Sequence, residues 1–177
     1  MVNKEVHIGY RQSTLADIDL TYRIKTRSIK TYVSRIYGWD EDFQMSFHQK
    51  NFRPENTRIL YLEDVSPDRP GRKPGEDAAF GYIEVEYRDT EIFLANILIE
   101  DAYQGQGLGK AVMRQLILEA DGMPGRPGLP VRLEVFRINK RARAFYERLG
   151  FRAISRDGIK YVMEKRPGRA PGSSPEK

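Results

Sequence analysis

The amino-acid sequence predicts an α+β domain: a mixed, mostly antiparallel sheet of about seven strands with flanking helices, ordered β-α-α-β-β-β-α-β-α-β-β. Two observations carry that prediction. Strand-like runs follow one another in the middle of the chain with no helix between them, which makes a meander and antiparallel pairs. Only one or two helical crossovers remain to form parallel pairs, too few for a doubly wound sheet. With 177 residues, 8 Phe, 10 Tyr and 1 Trp, the chain suits one well-filled core and is short for two.

The elements follow in order. In EVHIGYRQS, Val6, Ile8 and Tyr10 alternate with more polar neighbours at the period of a half-buried strand. Ser13 or Thr14 then caps a helix with apolar positions at Leu15, Ile18, Tyr22, Ile29, Val33 and Ile36, stopping at Gly38. Asp40 caps a second helix with Glu41 and Asp42 in its first turn, and its apolar face reads as Phe43, Phe47 and Phe52. TRILYLEDV is the second strand, and SPDRPGRKPGED, residues 66–77, a solvated turn-rich loop. AAFGYIEVEYR and TEIFLANILIE are two strands around a tight turn near Asp89 and Thr90. Leu108, Val112, Leu116 and Ile117 mark a third helix that runs to Ala120, and the loop GMPGRPGLP leads into the strand VRLEVF. Asn139 caps a fourth helix with Ala142, Phe145, Tyr146 and Leu149 on one face and Gly150 as its stop. FRAIS and IKYVMEK close the pattern as a hairpin over Asp157-Gly158. The end of the chain, 166–177, has no apolar anchor and is expected to be disordered, leaving residues 1–165 as a single domain.

Composition removes several function classes. The chain has no cysteine, which excludes disulfides, thiolate metal sites and a covalent acyl-cysteine route. His7 and His48 belong to no ligand pattern, so no metal is expected. The first residues lack the apolar core of a signal peptide, and no run approaches the roughly 18 apolar residues of a membrane span. A cytoplasmic protein without a membrane partner is therefore expected. The net charge of +5 arises from 25 acids interspersed among 30 bases, and no groove-reading motif accompanies it. It reads as a solvated surface, and no nucleic-acid partner is expected.

Chemistry concentrates in YQGQGLGKAV, at the junction of the fourth strand and the third helix. Glycines at such a junction let a backbone approach a phosphate closely. A dinucleotide fingerprint fails because Lys110 stands where a third glycine is needed after Gly105 and Gly107. A Walker A loop fails because position 104 is Gln and Ala111 replaces the magnesium-binding hydroxyl. What remains is Gln104, Gly107 and Gly109 in the spacing Gln-x-x-Gly-x-Gly.

With that spacing the chain resembles the GNAT superfamily of N-acetyltransferases, whose pyrophosphate loop reads Arg or Gln, two residues, Gly, one residue, then Gly or Ala. A second segment, NKRARAFYERLGF from Asn139 to Phe151, has the family's Asn-led helix with a Tyr before Gly-Phe. The resemblance implies acetyl-CoA as cofactor, cradled by Gln104, Gly105, Gln106, Gly107, Leu108, Gly109 and Lys110, with Arg141 and Arg143 as further bases for its phosphates. It places the backbone of Ile97, Leu98 and Ile99 against the pantetheine arm, which pairs like an added strand. It makes Asn139 a contact of that arm as well as a helix cap. Tyr146 becomes both a cofactor contact and the general acid for the departing sulfur, whereas spacing alone reads it as a core aromatic.

The acceptor is an amine that must lose a proton before attack, since an alkyl amine has a pKa of about 10.4. Glu84 is the first choice of base, with Glu86, Asn96 and Glu100 as further candidates; the alternative is that these acids face solvent. The resemblance makes the first two helices a wall of the acceptor site. Tyr32 and Trp39, near the acids Asp40 to Asp42, are the aromatics assigned to it, beside Glu84 and Asn96. The expected activity is transfer of acetyl from acetyl-CoA to a small-molecule or peptide amine by direct attack, in a monomer or homodimer. The competing expectation is an acyl-CoA-binding module without catalysis.

Overall fold

The computed structural model describes residues 7–63, 79–122 and 128–168. Its elements are β1 (His7–Gln12), α1 (Ile18–Tyr37), α2 (Glu41–Asn51), β2 (Thr57–Glu63), β3 (Ala79–Tyr87), β4 (Ile92–Ile99), α3 (Leu108–Asp121), β5 (Val131–Phe136), α4 (Lys140–Arg148), β6 (Arg152–Asp157) and β7 (Lys160–Lys165). The expected order is met. The strands form one seven-stranded sheet in the order β1-β2-β3-β4-β5-β7-β6. The β4–β5 pair is parallel, with Leu94 opposite Leu133. The pairs β1–β2, β2–β3, β5–β7 and β6–β7 are antiparallel. The loop expected at 66–77, most of the loop after α3 and the tail beyond 168 lie outside the described residues.

The chain forms two compact units, Met1–Val85 with Ala95–Gly109 and Glu86–Leu94 with Lys110–Lys177. In the first, Ile24 of α1 is fully buried against Ile59 of β2 and Tyr82 of β3, with Leu20, Ala79 and Leu98 packed around them. Burying one such side chain stabilises the fold by about 2 kcal/mol. Gly81 on β3 lets the backbone of Leu98 come so close that a Cβ at position 81 would collide with its carbonyl. Helix α1 starts later than the apolar pattern predicts. Leu15–Asp17 form a short 3-10 turn, and Leu15 is 70% exposed and so outside the core. The start is fixed by Asp17, which accepts two hydrogen bonds from Arg11 (2.9 and 2.7 Å) and one from the Thr14 amide at 2.8 Å.

Helix α2 begins as expected, the Phe43 amide donating to Asp40 Oδ1 at 2.8 Å. Its buried face is different from the one predicted. Phe43 and Phe47 point outward, 62% and 49% exposed, while His48 and Phe52 are buried. The imidazole wins the inner position because its Nε2 has a hydrogen-bond partner there, Thr21 Oγ1 at 3.0 Å, and its ring packs on Tyr22 and Phe52. Burial lowers its pKa to about 4, so the ring is neutral.

In the second unit α3 buries Val112, Met113 and Leu116. Strand β5 buries Val131, Leu133 and Val135 and turns Arg132 and Glu134 to the other face. The closing hairpin turns one residue later than predicted, through Gly158 and Ile159, since Asp157 pairs with Lys160. Gly158 has a φ of 51°, which only the first central position of this turn demands. A chain of charges crosses this unit. Arg88 meets Glu86 and Glu91, each at 2.7 Å. Arg132 meets Glu91 at 2.7 Å and Glu164 at 2.8 Å, and Arg166 meets Glu164 at 3.0 Å.

Glu91 and Glu164 are both buried, so Arg132 holds two carboxylates that water reaches poorly. Replacing Arg132 by Leu should cost about 2 kcal/mol in urea unfolding, because two buried carboxylates each lose one of their two basic partners. Arg166 and Arg132 hold the Glu164 carboxyl below its usual range. Its stabilisation is therefore complete above pH 4.5 and lost as pH falls through the lower folded value. Thermal melts should show wild type losing stability on acidification below pH 4.5 more steeply than Glu164→Gln.

Candidate functional site

The first unit carries the glycine loop at the end of β4. Gly105 and Gly107 have φ of 77° and 84°, which an L side chain adopts only under strain. Among the described residues, no atom beyond the adjoining residues lies within 4 Å of a Cβ built at either position, so space outside the loop is open. No backbone acceptor among the described residues takes the amides of Gly105, Gln106 or Gly107. The first turn of α3 adds amides that no helix can satisfy internally. These open amides and the helix dipole suit a pyrophosphate.

The two glutamines do something other than line that opening. Gln104 Nε2 donates to the Ile99 carbonyl and to Asp101 Oδ1, both at 2.9 Å. Gln106 Nε2 donates to the Ala102 carbonyl at 2.8 Å. Both side chains brace the loop. Gly109 sits within the first turn of α3, and Leu108 is buried beneath it.

On the face covered by α1, Asn96 Nδ2 donates to Glu84 Oε2 at 2.7 Å, bringing together two residues chosen from sequence. Glu84 faces this helix-covered side, as Tyr82 does two residues earlier; it is not on a solvent face. Glu86 is turned to Arg88, and Glu100 lies 3.5 Å from Arg27. Lys25 of α1, which sequence reasoning passed over, feels the charge of Glu84. Ile97, Leu98 and Ile99 are half-buried on β4.

Trp39 and Glu41 of α2 form a clasp. Glu41 accepts from Tyr22 Oη at 2.6 Å, Trp39 Nε1 at 2.7 Å and Lys30 Nζ at 3.1 Å. These donors, Tyr22 foremost, hold its pKa at about 2. The Lys30 ammonium also stands 5.2 Å from the Trp39 ring centroid. Tyr32 is half-buried on α1.

The second unit carries the remaining predicted residues. Asn139 caps α4, its Oδ1 accepting the Ala142 amide at 3.0 Å. Tyr146 is half-buried between Phe145 and Phe151, at ring distances of 5.3 and 5.8 Å. Its carbonyl accepts from the Leu149 and Phe151 amides, closing the helix end. Burial pushes the Tyr146 phenol up to about 12, so it keeps its proton at neutral pH. Arg143 bonds Glu147 at 2.8 Å and lies over the Tyr161 ring, while Lys110 and Arg141 are exposed.

A sheet of this order with open amides in the loop after β4 defines a class of α+β domain suited to a ligand that carries a pyrophosphate. The model of the acetyltransferase (GNAT) domain family matches residues 60–153, and the chain belongs to that family. It uses acetyl-CoA, as GNAT acetyltransferases do. It is 29% identical over 171 residues to a spermidine N(1)-acetyltransferase of Thermoplasma acidophilum, covering 90% of this chain and 97% of that one. It is 39% identical over 77 residues to the [ribosomal protein bS18]-alanine N-acetyltransferase of Escherichia coli, 44% of this chain and 49% of the relative. The fold matches the crystal structure of the PaiA N-acetyltransferase of Thermoplasma acidophilum in complex with coenzyme A. That match has a TM-score of 0.63 and 19% identity, covering 90% of this chain and 99% of the other.

Gly107→Ala tests the loop. Forcing a Cβ into the observed φ should weaken acetyl-CoA binding about tenfold by calorimetry, with the circular dichroism of the helices unchanged. Unchanged affinity would mean that the cofactor does not depend on this loop geometry.

Proposed function

We propose that the chain moves an acetyl group from acetyl-CoA directly to a primary amine. The observation that carries this reading is the row of unclaimed amides from Gly105 into α3, on a chain whose family performs acetyl transfer. Acetyl-CoA supplies an activated thioester. The loop from Gln104 to Lys110 holds its pyrophosphate through backbone N–H groups, with Lys110, Arg141 and Arg143 as the outer bases. The backbone of Ile97 to Ile99 receives the pantetheine arm, and an amide near Leu98 polarises the acetyl carbonyl. Asn139 orients that arm while capping α4.

Glu84, held in place by Asn96, takes the proton that the acceptor ammonium must lose. The amine nitrogen then bonds to the acetyl carbon as the carbon–sulfur bond breaks; Tyr146 gives its proton to the departing sulfur, and the second proton lost by the nitrogen restores the phenol through solvent. A phenol with a pKa of about 12 is fully protonated at neutral pH and so ready for that role. Most of the acceleration comes from positioning the two reactants. Tyr32 and Trp39 are assigned to the acceptor's surroundings. No helix among the described residues is long and apolar enough to cross a membrane, and we read the protein as cytoplasmic, a monomer or homodimer.

Tyr146→Phe keeps the ring packing and removes the proton donor. It should lower kcat for thiol release roughly 100-fold while acetyl-CoA affinity changes little. An unchanged kcat would leave Tyr146 as a packing residue and remove it from the chemistry.

A further inference from the structure

The face of the first unit under α1 carries two opposite charges that do not neutralise each other by contact. Glu84 of β3 is bonded to Asn96 of β4. Lys25 of α1 is half-buried, and among the described residues it makes no hydrogen bond and no ion pair. Its surroundings are the field of Glu84, the Phe47 ring with its centroid 5.7 Å from Nζ, and the neutral His48 ring. Burial lowers its pKa, the mark of an ammonium that has lost water without gaining an anion.

The position of this pair matters. Ile24, next to Lys25, packs with Tyr82 and Leu98. Tyr82 and Glu84 share a face of β3, and Asn96 and Leu98 share a face of β4. Lys25 and Glu84 thus stand beside the strand segment that receives the acetyl donor, so any role of the pair toward an acceptor rests on the acetyl-transfer reading.

We infer that Lys25 and Glu84 together select an acceptor amine that also bears a carboxylate, Glu84 meeting the ammonium and Lys25 the carboxylate. Such an acceptor fills both unmet demands, because each charge gains an opposite partner where water is scarce. A polyamine brings a second cation to Lys25 and no anion, which is repulsive. The same chemistry can come from a free amino acid or from a peptide N-terminus with an acidic side chain near it.

The test is thiol release by the full chain from acetyl-CoA with matched acceptors. One set is γ-aminobutyrate, butylamine and 1,4-diaminobutane; the other is peptides beginning alanine-glutamate and alanine-lysine. The carboxylate-bearing member of either set should have a kcat/KM at least about tenfold above its cationic counterpart. The set that shows it identifies the source. Lys25→Met and Lys25→Gln should erase the preference through KM, and Lys25→Arg should restore it. Preference for the diamine or the lysine peptide, or a preference that survives both neutral variants, overturns the assignment while the transferase reading stands. No thiol release with any amine, from protein that binds acetyl-CoA, overturns both.

Discussion

A helix that begins without acceptors for its first amides is the constraint on which this structure turns. Among the described residues, the loop before α3 leaves the amides of Gly105, Gln106 and Gly107 without a backbone partner and adds those of the first helical turn. Glycines at 105 and 107 are required by positive φ, and the two glutamines spend their side-chain amides on loop carbonyls. The result is a set of N–H donors with no backbone acceptor among the described residues. Such a set suits a polyanion, and the cofactor of this family carries one.

The first unit repeats that logic with charge. Its apolar centre of Ile24, Ile59 and Tyr82 is continuous with a polar group of Glu84, Asn96 and Lys25 on the same face. Two other carboxylates of the unit have several donors each: Asp17 has Arg11 and Thr14, and Glu41 has Tyr22, Trp39 and Lys30. Acids bonded in this way hold elements together. Among the described residues Lys25 has no such partner, which separates it from these structural clasps.

Much of this was legible in the sequence, for identifiable reasons. Element order followed from apolar periodicity, and the Asp40 and Asn139 caps from a short side chain that reaches an amide three residues on. The glycine loop was legible because glycine is the residue that tolerates its φ values. The inner face of α2 was not, since pattern reading ranks Phe43 and Phe47 above His48 and cannot see Thr21 waiting across α1. The turn at Gly158-Ile159 was misread by one residue because Asp-Gly is so common a turn pair. Glu84 and Asn96 were chosen from the sequence, but Lys25 beside them was hidden for a different reason. Lys25, Glu84 and Asn96 are far apart in sequence, and only the packing of α1 over β3 and β4 brings them to one face.

The central claim is direct transfer, with no acyl group resting on the protein. Mass spectrometry of a single-turnover mixture of protein, acetyl-CoA and an accepted amine addresses it most directly. The account predicts acetylated amine and free coenzyme A thiol in equal amounts, with the protein's own mass unchanged at every time point. An acetylated protein that forms before the amide and decays into it would contradict the account.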